Sequence, residues 1–428
     1  MDEFALKDGE LHCEDVPLAE IAAAVGTPVY VYSTAAMCGR VAALRSALEP
    51  LPGPLIAYAV KANPNLAVIA TLARAGLGAD VVSGGEYQRA LAAGVPPDKI
   101  VFAGVGKTEA EMRLALDPGI YQFNVESVAE AEMLSAVAIS MGRTAPVGFR
   151  VNPDVLAGTH AKISTGAAEN KFGIALGDAP EAYARAAALP GLSVRGVAVH
   201  IGSQLTSLDP LERAFARVGE LIHGLRGAGH EISIADLGGG LGVPYDPALP
   251  PPPTAADYGS MIKRVTRDWN VRLVFEPGRL IVGNAGVLLS RVVRIKPGAV
   301  HPFVIVDAAM NDLMRPALYD AWHKIEAVRP SGDTWQANVV GPVCETGDTF
   351  AMARQMDRVA DGELIVFRTA GAYAAAMSST YNSRPLTPEV LVDGARWAVV
   401  RPRVDIEALI AADAVPDWLA CCAGAGSR

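Results

Sequence analysis

Nowhere in the 428-residue chain do about 18 apolar residues follow one another, so the sequence offers no membrane-spanning helix. Its start, Met1-Asp2-Glu3-Phe4, lacks a basic stretch leading into an apolar one, and no signal peptide is expected. Basic excess is missing too: 37 Lys and Arg stand against 46 Asp and Glu, a formal net charge of −9. A nucleic-acid groove leaves a basic footprint, so nucleic-acid binding is not expected. Cysteine is scarce, with five scattered residues (Cys13, Cys38, Cys344, Cys421 and Cys422), an odd number that suits reduced thiols in a cytoplasm. The Cys421-Cys422 pair sits in a Gly/Ala/Ser tail with no histidine nearby, which makes it a poor metal site, and no metal is expected. What remains is 51% hydrophobic and 19% charged, the composition of a folded, alanine-rich protein long enough for two domains.

One stretch organises the rest. Leu55-Ile56-Ala57-Tyr58-Ala59-Val60 delivers Lys61 to the end of what reads as a buried strand, and Asn63-Pro64-Asn65 breaks it before a helical pattern from Leu66. In an apolar surround, desolvation disfavours the ammonium, which would leave free amine as a nucleophile for an aldehyde. An isolated lysine there is more often a strand cap that snorkels to solvent.

From Leu55 a rhythm of apolar strand, turn and helical pattern repeats. Strands read near 55–60, 79–83, 100–103, 120–124, 146–151, 194–200, 232–237 and 272–275, with helical patterns such as Ser127–Met141 and Leu208–Gly229 between them. Eight such units predict an α/β architecture, a parallel (β/α)8 TIM-like barrel over 28–279, with a doubly wound open sheet as the alternative. After Gly278 the β-runs Val287–Ile295, Phe303–Val306, Ala337–Val340, Leu364–Phe367 and Trp397–Val400 follow without long helices. They predict a second, mainly antiparallel β-domain over 280–428. Between them, 247–253 carries five prolines in seven residues and reads as a stiff surface connection.

In such barrels chemistry sits at the carboxyl ends of the strands. Those ends carry Lys61, Asp80, Arg150 with Asn152, His200 with Gly202-Ser203, Gly238-Gly239-Gly240, and Glu276-Pro277-Gly278-Arg279. The triple glycine lets backbone N–H groups approach an anion, but lacks the spacing of a dinucleotide fingerprint or a P-loop, so a lone phosphate is expected. Lysine, imidazole, carboxylate and phosphate cradle together fit pyridoxal 5'-phosphate. The lysine forms the Schiff base, His200 faces the ring, and Glu276 keeps the pyridine nitrogen protonated as an electron sink.

Tyr58-Ala59-Val60-Lys61-Ala62-Asn63, His200-Ile201-Gly202-Ser203-Gln204, Gly238-Gly239-Gly240 and Glu276-Pro277-Gly278-Arg279 resemble the barrel-type pyridoxal-phosphate decarboxylases of ornithine, arginine and diaminopimelate. Gly341-Pro342-Val343-Cys344-Glu345-Thr346-Gly347-Asp348 and Gly371-Ala372-Tyr373 continue the resemblance into the second domain. Cys344-Glu345, together with Ile163-Ser164-Thr165-Gly166 and Lys171-Phe172-Gly173, is most similar to the diaminopimelate branch, where the ornithine branch usually has aspartate at the place of Glu345. The resemblance implies that residues 1–27 join the β-domain and that two copies form a homodimer, each completing the other's active site. It implies cofactor contacts from Lys61, His200, Ser203, Gly239, Gly240, Glu276, Gly278, Arg279 and Tyr373. Cys344 would return a proton to the decarboxylated carbon, a task suited to a thiol whose ordinary pKa lies near the working pH.

The same resemblance places Arg279, Arg315, Tyr319, Glu345 and Tyr373 on the substrate. Arginines pair bidentately with carboxylates, and ornithine or lysine has no distal carboxylate to meet them. The expected reaction is therefore decarboxylation of meso-2,6-diaminopimelate to L-lysine and CO2, the last step of lysine biosynthesis. A decarboxylase of a related amino acid or carboxylated polyamine, a barrel-type racemase, and a cofactor-carrying protein without catalysis stand as alternatives. Glu276 argues against the racemase, and the presence of Lys61 and Cys344 against the inactive carrier.

Overall fold

The computed structural model describes residues 3–155 and 171–420. Eight strands, β1 (Leu55–Ala59), β2 (Gly78–Val81), β3 (Ile100–Phe102), β4 (Gln122–Val125), β5 (Ala145–Asn152), β6 (Leu192–Val199), β7 (Ile234–Asp236) and β8 (Arg272–Phe275), pair in parallel in that order. β8 pairs back onto β1, with Val274 opposite Leu55, so the sheet closes into a barrel.

The period-2 alternation of each strand divides two environments. Outward residues such as Tyr58, Val81, Phe102, Phe123, Phe149 and Phe275 form the large core under the surrounding helices. Inward, Leu55, Ala57, Val101, Ile234 and Val274 fill the floor. Above them lies the buried amide of Gln122, and this explains two glycines. A Cβ on Gly196 would stand 2.4 Å from Gln122 Oε1, and one on Gly148 2.7 Å from its Nε2. Ascending further, the inward side chains become Asp80, Asn124 and Asp236, all almost fully buried. The interior is thus apolar below and acidic above, which positions the chemistry at the carboxyl ends.

The second domain is built on β9 (Gly286–Lys296), β10 (Phe303–Val306), β11 (Ile325–Ala327), β12 (Thr334–Val340), β13 (Thr349–Asp357), β14 (Leu364–Phe367), β15 (Glu389–Asp393) and β16 (Arg396–Arg401). Its main sheet runs β13-β12-β10-β9, then the strand Val29–Ser33, then β15-β16. Most pairs are antiparallel; β10 with β12 and Val29–Ser33 with β15 are parallel.

The strand Val29–Ser33 corrects the expected start of the barrel at residue 28. It pairs with β9 on one side and β15 on the other, in the middle of the second sheet. Its five residues are all buried, so both faces must be covered, and a place between two strands and two cores provides that. Val29 and Val31 face a small core with Phe4, Leu11, Val16, Leu18 and Ile21, while Tyr30 and Tyr32 face the main one. The residues preceding it form a three-stranded sheet packed on this domain, tied by the Leu11 N–H to Val328 O at 2.8 Å.

Candidate active site

Every strand-end residue singled out from the sequence falls on one face of the barrel. Lys61 sits in the short helical turn Val60–Ala62 that follows β1. Tyr58 Oη donates to Asn63 O at 3.0 Å, Asn63 Nδ2 donates to Gly371 O at 3.2 Å, and Tyr373 N donates to Ala62 O at 2.8 Å. These bonds bind the lysine turn to the Gly371–Tyr373 loop of the second domain. The same loop packs closely on the short helix Arg279–Val282, where a Cβ on Gly371 would lie 1.9 Å from Val282 O. Tyr373 itself has φ +54, a left-handed conformation that a tyrosine adopts only when its surroundings enforce it.

Three adjoining cavities share Lys61 and His200 on their walls. The narrowest is lined by Ser203, Gly238–Gly240, Glu276, Gly278, Arg279 and Tyr373. A second, of about 390 Å³, reaches toward Asn124, Arg150, Asp236 and Glu276. The third, of about 520 Å³, is lined by Tyr245, Arg279, Arg315, Tyr319 and Trp322. Pro250 and Pro252 also line it, so the proline-rich stretch read as a surface connection forms one wall of a cavity.

The charge state of Lys61 differs from the expectation. Its Nζ lies 2.5 Å from Asp80 Oδ2. Burial by itself would lower the lysine pKa, but the charges of Asp80 and Glu276 outweigh it and hold the ammonium above its ordinary range. The desolvation argument from sequence omitted these two carboxylates. Beside these carboxylates the lysine is an ion-paired cation.

Glu276 follows β8 and meets Asp236 at the end of β7. Burial raises both pKa values, and the neighbouring Asp236 charge pushes Glu276 well up. Asp236 is fixed by Gly238 N at 3.0 Å and Asn124 Nδ2 at 2.7 Å. Glu276 Oε1 is buried without a partner. His200 is held neutral, its pKa lowered by burial and then by Arg150 and Lys61. Its Nδ1 accepts from Gly239 N at 3.3 Å.

These residues fit pyridoxal phosphate. The orphaned Glu276 oxygen is a ready partner for a pyridinium N–H, and buried polar atoms seldom go without one. The glycine turn is a cradle in which only hydrogen fits: a Cβ on Gly239 would lie 2.2 Å from Glu276 O, and one on Gly240 2.5 Å from Gly202 O. The sequence reading needs one refinement. Gly238 and Gly239 already donate to Asp236 and His200, which leaves the Gly240 N–H as the turn's donor toward an anion among the described residues.

Arg279 and Arg315 are both buried in the largest cavity. Arg279 donates to Tyr245 Oη at 2.6 Å and to Ser203 Oγ at 3.2 Å, and its guanidinium stacks 4.7 Å above the Tyr373 ring. Arg315 stacks 4.5 Å from the Tyr245 ring and donates from Nη1 to His323 Nε2 at 2.8 Å. Cys344 and Glu345 are exposed, and neither lines any of the three cavities. Ile163-Ser164-Thr165-Gly166 and Cys421-Cys422 lie outside the described residues.

Sequence reasoning gave no role to Asp80, Asn124, Asp236, Tyr245 or His323. For Asp80 and Asp236 a signal existed, a carboxylate at the end of an apolar strand. For Tyr245 and His323, in loops, none did.

His323 carries a testable pH dependence. It is 2% exposed, and burial, with Arg315 beside it, lowers its pKa from 6.5 to about 3. Between those values the unfolded chain binds the proton and the native one does not. Stability from neutral His323 is therefore complete above pH 6.5 and drains as pH falls, by about 1.4 kcal/mol per pH unit. Denaturant unfolding from pH 7 to 5 should lose stability more steeply for wild type than for His323→Gln, which has no proton to take up. Equal slopes would refute a buried neutral imidazole.

Comparison with known proteins agrees with this geometry. Residues 40–283 match the model of the pyridoxal-dependent decarboxylases, pyridoxal binding domain. The chain is 55% identical over 421 residues to diaminopimelate decarboxylase of Zymomonas mobilis, covering 98% of this chain and 100% of that one. It is 51% identical over 416 residues to diaminopimelate decarboxylase of Pseudomonas aeruginosa, covering 97% and 99%. The crystal structure of diaminopimelate decarboxylase from M. jannaschii in co-complex with L-lysine superposes with a TM-score of 0.93 at 37% identity, covering 97% of this chain and 98% of that one. With a matching family model over more than half of its length and relatives of about half identity along nearly all of it, this chain belongs to the pyridoxal-dependent decarboxylases.

Proposed function

We propose that this enzyme removes one carboxylate from meso-2,6-diaminopimelate, releasing CO2 and L-lysine. The observation that carries the reading is the pair of buried guanidiniums, Arg279 and Arg315, in one cavity with Lys61. Neither forms an ion pair among the described residues, so two positive charges await an anion. Diaminopimelate offers a distal carboxylate; lysine and ornithine would bring only another ammonium into that field. L-lysine, the ligand in the M. jannaschii co-complex, is the product this reading requires.

Pyridoxal phosphate, when bound, supplies the electron sink for the electrons left behind as CO2 departs. The chain's residues do the rest. Lys61 would hold the cofactor through its amine, which Asp80 orients at 2.5 Å. Gly239, Gly240, Ser203, Gly278 and Arg279 would hold its phosphate, His200 would lie against its ring, and Glu276 would keep its ring nitrogen protonated. Arg279, Arg315, Tyr319 and Tyr373 receive the distal end of the substrate. Cys344 delivers the proton to the carbon that lost its carboxylate, and Glu345 meets the distal ammonium. Their exposure, away from every cavity that Lys61 lines, supports a homodimer in which a second copy brings them.

CO2 release from meso-diaminopimelate, L-ornithine and L-lysine, measured side by side on the holoenzyme, tests the substrate. Diaminopimelate is expected to exceed both others by at least about 100-fold, the scale set by an underpaired buried charge. Equal release from ornithine or lysine would overturn the reading.

A further inference from the structure

Arg279 and Arg315 share an unusual feature: every hydrogen-bond acceptor that orients them among the described residues is neutral. Arg279 is held by the hydroxyls of Tyr245 and Ser203, and Arg315 by the imidazole of His323. A carboxylate in any of these places would orient a guanidinium equally well, but would also compensate its charge and compete with an incoming anion. The Tyr245 ring stacks against Arg315 while its hydroxyl accepts from Arg279, so the two like charges meet around a neutral group.

His323 has a fixed polarity within this arrangement. Its Nδ1 lies 2.8 Å from Arg368 O, and a carbonyl only accepts, so Nδ1 carries the proton. Nε2 then has a lone pair, and it receives Arg315 Nη1 at 2.8 Å. The ring is further confined by its edge-on contact with Tyr245, with centroids 5.4 Å apart. On the far side, Arg368 is clamped by Glu326. The backbone of the second domain therefore dictates the tautomer, and the tautomer dictates the direction of the guanidinium.

We infer that His323 is a positioning residue for substrate specificity, a neutral acceptor that aims Arg315 at the distal carboxylate without reducing its charge. This rests on the proposed substrate.

The two isosteric halves of an imidazole provide the test. Asn at 323 places its amide where Nδ1 stands, keeping the bond to Arg368 O and losing Arg315. Gln places its amide where Nε2 stands, keeping Arg315 and losing Arg368 O. Steady-state kinetics on the holoenzyme should find that His323→Asn raises KM for meso-diaminopimelate by about 10- to 100-fold, as for a lost hydrogen bond to a charged group, with kcat changed by less than about threefold. His323→Gln should stay within about threefold of wild type. Added to Arg315→Ala, His323→Asn should have almost no further effect, because two residues acting through one contact are not additive.

Asn and Gln variants equally impaired, or Asn the better of the two, would show that the fold rather than Arg315 needs His323, and would overturn the inference. So would a full second penalty in the Arg315→Ala background. These outcomes leave the substrate assignment standing provided Arg315→Ala is itself impaired. An Arg315→Ala enzyme that turns over diaminopimelate normally would overturn the assignment, and the role of His323 with it.

Discussion

Replacing Lys61 with alanine is expected to abolish decarboxylation, by roughly a thousandfold or more, the range seen when a covalent nucleophile is removed. The neighbourhood of Lys61 sharpens that expectation. Its ammonium sits 2.5 Å from Asp80, whose own side chain is fully buried. Lys61→Arg keeps the cation beside Asp80, but a guanidinium does not deprotonate at working pH and cannot bond to the cofactor aldehyde. Both variants should therefore be inactive and lack the visible absorbance of the bound cofactor, while Lys61→Arg retains more of the thermal stability. Detectable turnover by Lys61→Arg would remove Lys61 from the chemistry. Lys61→Ala also tests the shared site. Cys344→Ala should also be severely impaired, and exchange of subunits between Lys61→Ala and Cys344→Ala proteins should restore about a quarter of wild-type activity. Half of the pairs are then mixed, and each mixed pair has one intact site. Activity that stays absent after complete exchange would place both residues in one chain's site.

Arg315→Ala carries the second large effect. Arg315 is 6% exposed, and its loss leaves a substrate carboxylate underpaired in a largely buried cavity. Such truncations cost about 2–5 kcal/mol, which corresponds to a loss of about 30- to 5,000-fold in kcat/KM for meso-diaminopimelate. The cofactor spectrum should be unchanged, because Arg315 lines the largest cavity but not the glycine cradle. Discrimination against lysine should weaken at the same time, since one of the two repelling charges is gone. A spectrum altered along with the kinetics would mean that Arg315 supports the fold of the site and not the substrate alone.

The barrel was legible because its strands are short, buried and regularly spaced, so apolar runs and turns mark each unit. The second domain was less so, for local reasons. β13 has the burial sequence of a half-exposed strand, and Ala353 within it takes φ +45, which shifts the register and erases period-2 alternation. β15 opens on Glu389, a residue that reads as solvent-facing yet is buried against the Tyr32 hydroxyl at 2.5 Å. In the site, single residues at strand ends could be found, but their electrostatic coupling could not. The cationic state of Lys61 depends on Asp80 and Glu276, one from the neighbouring strand and one from the far end of the barrel sequence. Tyr245 and His323 acquire meaning only when the loop after β7 and the loop before β11 pack their rings edge-on beside Arg315.

The strand Val29–Ser33 has a consequence for synthesis of the protein. Its hydrogen-bonding neighbours lie at Gly286–Leu289 and Glu389–Val392, and Tyr32 bonds to a residue 357 positions later. Translation at about 5–20 residues per second separates the strand from the later of these partners by about 20–70 s. The barrel segments between them emerge complete in that interval, while a five-residue strand made for burial waits outside the ribosome with at least one edge unpaired. Such a segment is a template for pairing with other chains. The last part of the message to be read thus closes the first, and the nascent protein depends for tens of seconds on whatever shields one short strand.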